Sequence, residues 1–229
     1  MQGIIFTGGA CPSARIIKHL IDTEAKNPLL IAADSGLLAI EGAGLKPDWI
    51  IGDMDSLDTA ARLDAYPPDR VIRYDFDKDF TDTELAFSHA VEKGCDDIWI
   101  IGGGGGRIDH LFGIRSMFER EIFPSRWITD NADMLCIKAD NRELEPSVQR
   151  AENSFFYSIE KGSVVSVFPL GNSPWEAEST GLKWPLAGLP WERGFFGLSN
   201  IAVDGKFSIE VKKGRFMVIL PVEEIKNLN

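Results

Sequence analysis

Two aspartates in the segment GDMDS have the spacing of metal ligands. Asp53 and Asp55 follow closely after an apolar run that ends at Ile51. In extended backbone, alternate side chains point to the same side, so both carboxylates can face one ion. Mg²⁺ commonly takes one or two carboxylates and completes its shell with water and phosphate oxygens. We expect Asp53 and Asp55 to bind such an ion, with simple capping of a strand-to-helix turn as the alternative.

The segment DFDKDFTDTE, residues 75–84, carries a second group of acids. Thr81 and Glu84 have the spacing of a capping box, which gives both a structural role at the start of a helix. Asp79 and Asp82 flank that cap, where they could reach a metal ion or a cationic substrate. Carboxylates this close repel one another unless solvent or a cation neutralises them. For the other acids of the segment, a solvated loop is the simpler interpretation.

A glycine run separates the apolar segment IWII from the helical segment DHLFGIRSMFERE. The run consists of Gly102, Gly103, Gly104, Gly105 and Gly106. It matches neither the Walker A motif nor G-x-G-x-x-G. Even so, bare N–H groups near a helix start favour an anion, and the guanidinium of Arg107 suits a phosphate. We expect a phosphate site here that includes Asp109 and His110; a flexible surface turn is the alternative.

The elements that must hold these clusters alternate between strand and helix. The predicted strands are short, apolar and rich in isoleucine, as in a sheet covered on both faces. They lie at 3–8, 29–34, 48–53, 70–75, 96–103 and 134–138. Amphipathic helices are predicted at 14–25, 57–66, 82–94 and 109–121. This alternation predicts an open, mostly parallel α/β domain at residues 1–140.

The polar clusters all fall at the carboxyl ends of predicted strands. Besides the three clusters above, they include TGGA at 7–10 and AADSG at 32–36. The carboxyl edge of an open α/β sheet is where ligands bind. The sequence therefore predicts one binding site along this edge.

From about residue 141 the hydrophobic pattern changes to a period of two, with turn signals at EKG, DGK and KKG. About six strands are expected, which predicts a smaller C-terminal all-β sandwich domain at 141–229. Trp184 and the pair Ser199–Asn200 are notable within it. The face of a tryptophan attracts a flat cationic ring, although a tryptophan is more often a core or interface residue.

Composition limits the class of protein. Of the 229 residues, 44% are hydrophobic and 26% are charged, which is ordinary for a soluble globular protein. The net charge of −11 argues against general nucleic-acid binding. The apolar runs are too short for a membrane helix, and the first residues do not form a secretory signal. Three widely spaced cysteines fit a reducing compartment, so a cytoplasmic protein is expected.

Taken together, the motifs resemble those of the thiamine pyrophosphokinase family. AADSG, KPDWIIGDMDS, DKDFTDTELA, GGGGGRIDH, STGLKWPL and GLSN occur in the family's order and spacing over nearly the whole chain. The resemblance implies an α/β nucleotide domain followed by a β-sandwich domain. It also implies transfer of the terminal diphosphate of ATP to the hydroxyethyl group of thiamine, with AMP as the second product. It further implies a homodimer that holds thiamine between its subunits.

The resemblance also assigns roles to individual residues. Mg²⁺ and its phosphates would be held by Asp53, Asp55, Asp79 and Asp82. ATP would contact Gly8, Asp34, Ser35, Gly102, Gly103, Gly104, Gly105, Arg107 and His110. Thiamine would contact Asp82, Trp184, Ser199 and Asn200. Catalysis would involve Asp53, Asp55, Asp79, Arg107 and Asp109.

One position departs from the family pattern. The motif AADSG has Ser35 where the family usually has a second glycine. The backbone at Ser35 is therefore expected to avoid a conformation that only glycine adopts, with a shifted contact to Asp34 as a consequence. Two other functions stay open on the residues alone: diphosphate transfer to another acceptor such as a hydroxymethyl pterin, and a non-catalytic sensor of a metal-bound nucleotide.

Overall fold

The computed structural model of the chain describes residues 1–55, 60–139, 149–151, 154–172 and 174–222. These residues divide into two units. The first contains Met1–Met117, Arg126–Asn131 and Val222, and the second contains Phe118–Ser125 and Ala132–Pro221. No helix within the described ranges is long and apolar enough to cross a membrane. Ser56 and Asp58, at the predicted turn after GDMD, lie outside these ranges.

The strands of the first unit are β1 (Gln2–Phe6), β2 (Leu29–Ala33), β3 (Trp49–Gly52), β4 (Val71–Arg73), β5 (Asp97–Ile101) and β6 (Arg126–Ile128). They are parallel and have the order β6-β5-β1-β2-β3-β4. The helices are α1 (Ala14–Thr23), α2 (Gly36–Gly42), α3 (Ala60–Leu63), α4 (Asp82–Glu92) and α5 (Ile108–Met117), with a short 3₁₀ turn at Pro68–Arg70. This confirms the predicted parallel α/β architecture.

The central strands are apolar because both of their faces are covered. Ile4, Phe6, Ile50 and Trp99 all lie in one buried cluster with residues of α1 and α2. Strands of this kind form a rigid base, and the loops at their carboxyl ends carry the polar residues. The sequence patterns at 3–8, 29–34, 48–53, 70–75 and 96–103 each correspond to a strand of this sheet.

Strand β6 was not expected from the sequence. Its three residues are all buried, but the first is Arg126, which breaks the apolar pattern. The Arg126 guanidinium pairs with Glu24 at 2.7 Å and lies over the ring of Trp99. The charge is therefore satisfied locally, and a strand forms where composition alone does not predict one.

The second unit consists of antiparallel strands. One set has the order β12-β10-β14-β7 and the other β11-β13-β9-β8. Their bounds are β7 (Ala132–Lys138), β8 (Gln149–Ala151), β9 (Ser154–Ser158), β10 (Val164–Leu170), β11 (Glu176–Thr180), β12 (Gly197–Ile201), β13 (Lys206–Lys213) and β14 (Arg215–Pro221). Side chains from both sets, including Val167, Phe216 and Ile209, form one buried core. This arrangement confirms the predicted sandwich and has more strands than the six expected.

The apolar segment at 134–138 is a strand, but it does not belong to the parallel sheet as predicted. It is part of β7, which pairs antiparallel with β14 in the second unit. The second unit therefore includes residues that precede the expected boundary at 140. An apolar strand of this length can pair in a parallel sheet or in a sandwich, so the sequence pattern predicts the strand but not its partner.

Candidate active site

A cavity of about 600 Å³ opens at the carboxyl ends of the parallel strands in the first unit. Many of the residues that the sequence singled out line it. They are Gly8, Asp34, Ser35, Asp79, Asp82, Gly103, Gly104, Gly105, Arg107, Asp109 and His110. The structure thus brings four separate sequence motifs to one cavity, at the edge where an open α/β sheet binds its ligands.

Three carboxylates form a close group beside this cavity. One oxygen from each of Asp34, Asp53 and Asp55 lies within 4.8 Å of the others. Asp34 follows β2 and the other two follow β3, and these strands are neighbours in the sheet. Asp53 and Asp55 were expected to lie together, whereas Asp34 was expected only to contact ATP. The signal for Asp34 was its position directly after a buried strand, which it shares with the GDMD segment.

Asp34 has the strongest signs of a functional constraint. It is 9% exposed, and its Oδ1 atom accepts no hydrogen bond from the described part of the chain. Its φ angle is +45°, in the left-handed region that non-glycine residues seldom adopt. Buried polar atoms without partners are rare and call for an explanation such as an ion. The fold thus holds a carboxylate with one unsatisfied oxygen, on a left-handed backbone, beside the other two.

Ser35, which follows Asp34, has an ordinary backbone. Its φ is −62° and its ψ is −7°. The expectation that this position avoids a glycine-only conformation is confirmed, and the strain lies one residue earlier. Ser35 also approaches Gly8, which follows β1: a Cβ atom at Gly8 would lie 2.4 Å from the Ser35 hydroxyl. The glycine therefore leaves room for the hydroxyl in its present position.

The other two predicted metal ligands are arranged differently. Asp82 is the first residue of α4, whose start is fixed by the predicted capping box between Thr81 and Glu84. Burial raises the pKa of Asp82, although the ammonium of Lys78 opposes the shift. Asp79 is exposed on the cavity wall and is not part of the close group among the described residues.

Lys78 was not among the predicted site residues, yet it lines the cavity. Its Nζ atom lies 2.6 Å from Asp53 Oδ2 and 3.2 Å from Asp82 Oδ1. The hydrogen bond from Lys78 lowers the pKa of Asp53. Burial alone would lower the pKa of Lys78, but its bonds to the two carboxylates outweigh burial and raise it. The segment at 75–84 thus contains both the carboxylate of Asp82 and the lysine that pairs with it.

The N–H groups in the first part of the glycine run are used within the fold. The N–H groups of Gly102, Gly103 and Gly104 donate to the carbonyls of Ile128, Gly8 and Ala10. A Cβ atom at Gly102 would lie 2.3 Å from the carbonyl oxygen of Thr7, and its φ is +104°. These three glycines therefore allow close backbone packing, and their N–H groups are not available to a phosphate.

The second part of the run, Gly105 and Gly106, differs in its hydrogen bonding. No carbonyl in the described ranges accepts a backbone hydrogen bond from Gly105 or Gly106. A Cβ atom at Gly106 would meet nothing within 4 Å, so this backbone lies in open space. The anion site that the sequence predicts is thus reduced to the last two glycines and the start of α5.

Arg107 and Asp109 lie at that start and bind each other. Arg107 Nε is 3.1 Å from Asp109 Oδ1, and Nη2 is 2.5 Å from Oδ2. This contact lowers the pKa of Asp109 to about 2. Both side chains are exposed, as is His110. A phosphate would have to compete with Asp109 for the guanidinium.

In the second unit, Asn200 and Trp184 are directly linked. Asn200 is buried; its Oδ1 accepts from the Trp184 N–H at 3.0 Å, and its Nδ2 donates to the Trp184 carbonyl at 2.6 Å. Asn200 Oδ1 also accepts from Ile201 N–H at 2.9 Å. Asn200 therefore has a structural role, because its amide holds the connection between β11 and β12 that contains Trp184 (the Trp184 loop).

Trp184 itself is not a core residue. It is 51% exposed, and Lys183 Nζ lies 4.6 Å from the centre of its ring. Ser199 is exposed as well and has a φ of +55° within β12. Trp184 and Ser199 are thus both exposed on this unit.

Comparison with known proteins agrees with this geometry. Residues 21–124 match the family model for the thiamin pyrophosphokinase catalytic domain, and residues 150–216 match that for its vitamin B1 binding domain. Thiamine pyrophosphokinase of Bacillus subtilis (strain 168) is 29% identical over 176 residues, which cover 75% of this chain and 76% of that protein.

Solved structures share the fold. Thiamin pyrophosphokinase from Geobacillus thermodenitrificans aligns with a TM-score of 0.70 at 23% identity, covering 98% of this chain and 99% of that one. Thiamine pyrophosphokinase from Bacillus subtilis aligns with a TM-score of 0.71 at 22% identity, covering 97% and 100%. Because the two family models together match most of the sequence, the chain belongs to the thiamin pyrophosphokinase family of diphosphotransferases.

Proposed function

We propose that the chain transfers the diphosphate of ATP to the hydroxyl of thiamine in the cavity of the first unit, giving thiamine diphosphate and AMP. The observation that carries this proposal is the group of Asp34, Asp53 and Asp55, within 4.8 Å of one another beside a glycine-lined cavity. Polyphosphate sites typically combine a cation site with bare backbone N–H groups, and this cavity offers both.

The donor set suits Mg²⁺. Its oxygens are hard ligands, and the buried Asp34 Oδ1, which has no partner within the described residues, is satisfied if it contacts a cation. Asp34, Asp53 and Asp55 would hold the ion, and Asp82 and Asp79 would complete the acidic wall toward the substrate. When bound, Mg²⁺ would supply positive charge that neutralises the phosphate oxygens.

The remaining cavity residues would bind and orient ATP. The N–H groups of Gly105 and Gly106 point to a phosphate role, since they are not used by the backbone of the described chain. Arg107 would exchange its contact with Asp109 for a phosphate, and His110 would lie nearby. Diphosphate transfer depends mainly on positioning and on stabilising the charge that develops on the leaving phosphate, which these donors provide.

Thiamine would bind through the second unit. The exposed face of Trp184 offers stacking area and cation–π attraction to the thiazolium, and Ser199 offers a hydroxyl close in sequence to Asn200. Asn200 would act by holding the Trp184 loop in place. We also propose, from the family resemblance, a cytoplasmic homodimer that binds thiamine between subunits.

Mass spectrometry of the reaction products tests this function. Purified protein incubated with thiamine, ATP and Mg²⁺ should form thiamine diphosphate and AMP in equal amounts, and chelation of the metal should stop the reaction. A hydroxymethyl pterin serves as the control acceptor and should stay unmodified. Formation of ADP with thiamine monophosphate would contradict transfer of an intact diphosphate, and absence of any product would favour a nucleotide sensor.

A further inference from the structure

Lys78 lies between two acidic side chains of the cavity. Its ammonium is 2.6 Å from Asp53 and 3.2 Å from Asp82. The side chains of Lys78 and Asp53 are only 14% and 11% exposed. Solvent and salt screen such a pair much less than an exposed one. The ammonium is therefore a strong local influence on both carboxylates.

Asp53 belongs to two groups at once. It pairs with Lys78, and it also contributes an oxygen to the close group with Asp34 and Asp55. A divalent cation bound to that group would lie near the Lys78 ammonium, and the two positive charges would repel each other. The lysine and the metal therefore compete for the single negative charge of Asp53.

We propose that Lys78 is a resident counter-ion, which offsets one of the two negative charges of Asp53 and Asp82 before the divalent cation binds and leaves Asp53 when it does. This inference rests on the proposed function, since it concerns the metal site assigned there. Without Lys78, the carboxylates of the empty cavity would repel one another. Lys78 reduces this repulsion, but it also weakens the affinity of the site for the metal when no nucleotide is bound.

The arriving substrate favours the exchange. Lys78 also lines the cavity, so an ammonium that leaves Asp53 faces the place proposed for the polyphosphate. The negative phosphates would then compensate the displaced charge, and metal binding would be strongest when the nucleotide is present. A lysine suits this movement, because its ammonium is a compact charge on a flexible stem.

The surroundings of Lys78 permit such a movement. Phe76 and Phe80, on either side in the sequence, are 78% and 57% exposed. Neither aromatic ring ties this part of the segment into the core of the first unit. The capping box of Thr81 and Glu84 fixes the start of α4, and with it Asp82, independently of the lysine.

Binding of Mn²⁺ without nucleotide tests the proposal, with free Mn²⁺ measured by electron paramagnetic resonance. Lys78→Met should bind Mn²⁺ about tenfold more tightly than the wild-type protein, because a competing positive charge is gone. Lys78→Arg keeps the charge and should bind like the wild type. Lys18→Met is the matched control, since Lys18 forms an exposed i,i+4 pair with Asp22 at 3.3 Å; its affinity should not change.

The outcomes separate this proposal from the proposed function. Unchanged or weaker Mn²⁺ binding in Lys78→Met would overturn the counter-ion role and make Lys78 a structural support. If the wild-type protein also fails to bind Mn²⁺, the metal site given under the proposed function would itself be wrong.

A wild-type measurement covers the case in which Lys78→Met does not fold. Acetylation of lysines, read by mass spectrometry, should modify Lys78 several-fold faster with saturating Mn²⁺ than without it, because the ammonium has left Asp53. The rate at Lys18 should stay constant. Equal or slower modification of Lys78 with Mn²⁺ would overturn the exchange.

Discussion

The acidic group of the first unit and the Trp184 loop of the second are both expected to receive a positively charged partner, and both already contain a lysine. In the first unit, Lys78 is 14% exposed and lies 2.6 Å from Asp53. In the second, Lys183 lies 4.6 Å from the centre of a Trp184 ring that is half exposed. Charges in the cavity are poorly screened, whereas a cation on an exposed ring contributes about 0.5–1 kcal/mol. Changes in the cavity should therefore affect turnover strongly, and changes at Trp184 should affect substrate binding moderately.

The two regions also differ in what holds them. The cavity is fixed by the backbone, through the bonds that Gly102, Gly103 and Gly104 donate. The Trp184 loop is fixed by one side chain, Asn200, which bonds to both the N–H and the carbonyl of Trp184. This contrast suggests that a small side chain added to the glycine run disturbs the fold itself, while the Trp184 ring can be removed with little loss of stability.

The largest effect is expected at the close group of Asp34, Asp53 and Asp55. Asp53→Asn should lower kcat at least ~100-fold, equivalent to roughly 2.7 kcal/mol of transition-state stabilisation, because it removes a charge shared by the metal site and Lys78. The melting temperature should change little. Asp75→Asn, an exposed acid of the neighbouring segment, is the control and should retain wild-type turnover. Near-full activity of Asp53→Asn at saturating Mg²⁺ would remove this residue from the mechanism.

A smaller effect, on stability, is expected within the glycine run. A Cβ atom at Gly104 would lie 2.8 Å from the Ala10 carbonyl oxygen and 2.6 Å from Asp130 Oδ1. Gly104→Ala should therefore lower the free energy of unfolding by about 1–3 kcal/mol, as overpacking does. Gly106→Ala has open space and should cost only about 1 kcal/mol, for its φ of +64°.

Denaturant unfolding and the KM for ATP, measured on both variants, distinguish the two halves of the run. Gly104→Ala should lose mainly stability, and Gly106→Ala should mainly raise the KM for ATP. If the two variants are equally stable, the close packing at Gly104 does not constrain the fold.

The smallest effect is expected at Trp184. Trp184→Ala should raise the KM for thiamine by several-fold to ~30-fold, corresponding to about 0.5–2 kcal/mol of stacking and cation–π attraction, with the KM for ATP unchanged. Phe156→Ala, another exposed aromatic residue of the second unit, is the control and should leave both constants unchanged. An equal rise for both substrates, or none, would show that the Trp184 ring does not bind thiamine.

Much of the first unit could be predicted from local patterns. Isoleucine-rich runs gave β1 and β5, and the spacing of Thr81 and Glu84 gave the start of α4. These features depend on nearest neighbours in the sequence, so composition and spacing are enough. The pairing of Asp53 with Asp55 was accessible for the same reason.

The features that could not be predicted depend on contacts between distant segments. Nothing in the order of residues says that Lys78 contacts Asp53, 25 positions earlier in the sequence. The N–H group of Gly104 was expected to face a ligand, but its partner is the carbonyl of Ala10. Asp34 lies beside Asp53 and Asp55 because β2 and β3 are neighbours in the sheet, which only the fold decides.

The central claim is that Asp34, Asp53 and Asp55 together hold the cation for diphosphate transfer, and Asp34→Asn tests it most directly. Asparagine tolerates the left-handed φ of +45° at this position and keeps the shape of the side chain, so the fold should be preserved. The measurement is the rate of thiamine diphosphate formation as a function of Mg²⁺ concentration. We predict a rate reduced about 100-fold or more at wild-type Mg²⁺ levels, with unchanged unfolding. A variant with wild-type rate and wild-type Mg²⁺ dependence would contradict the account.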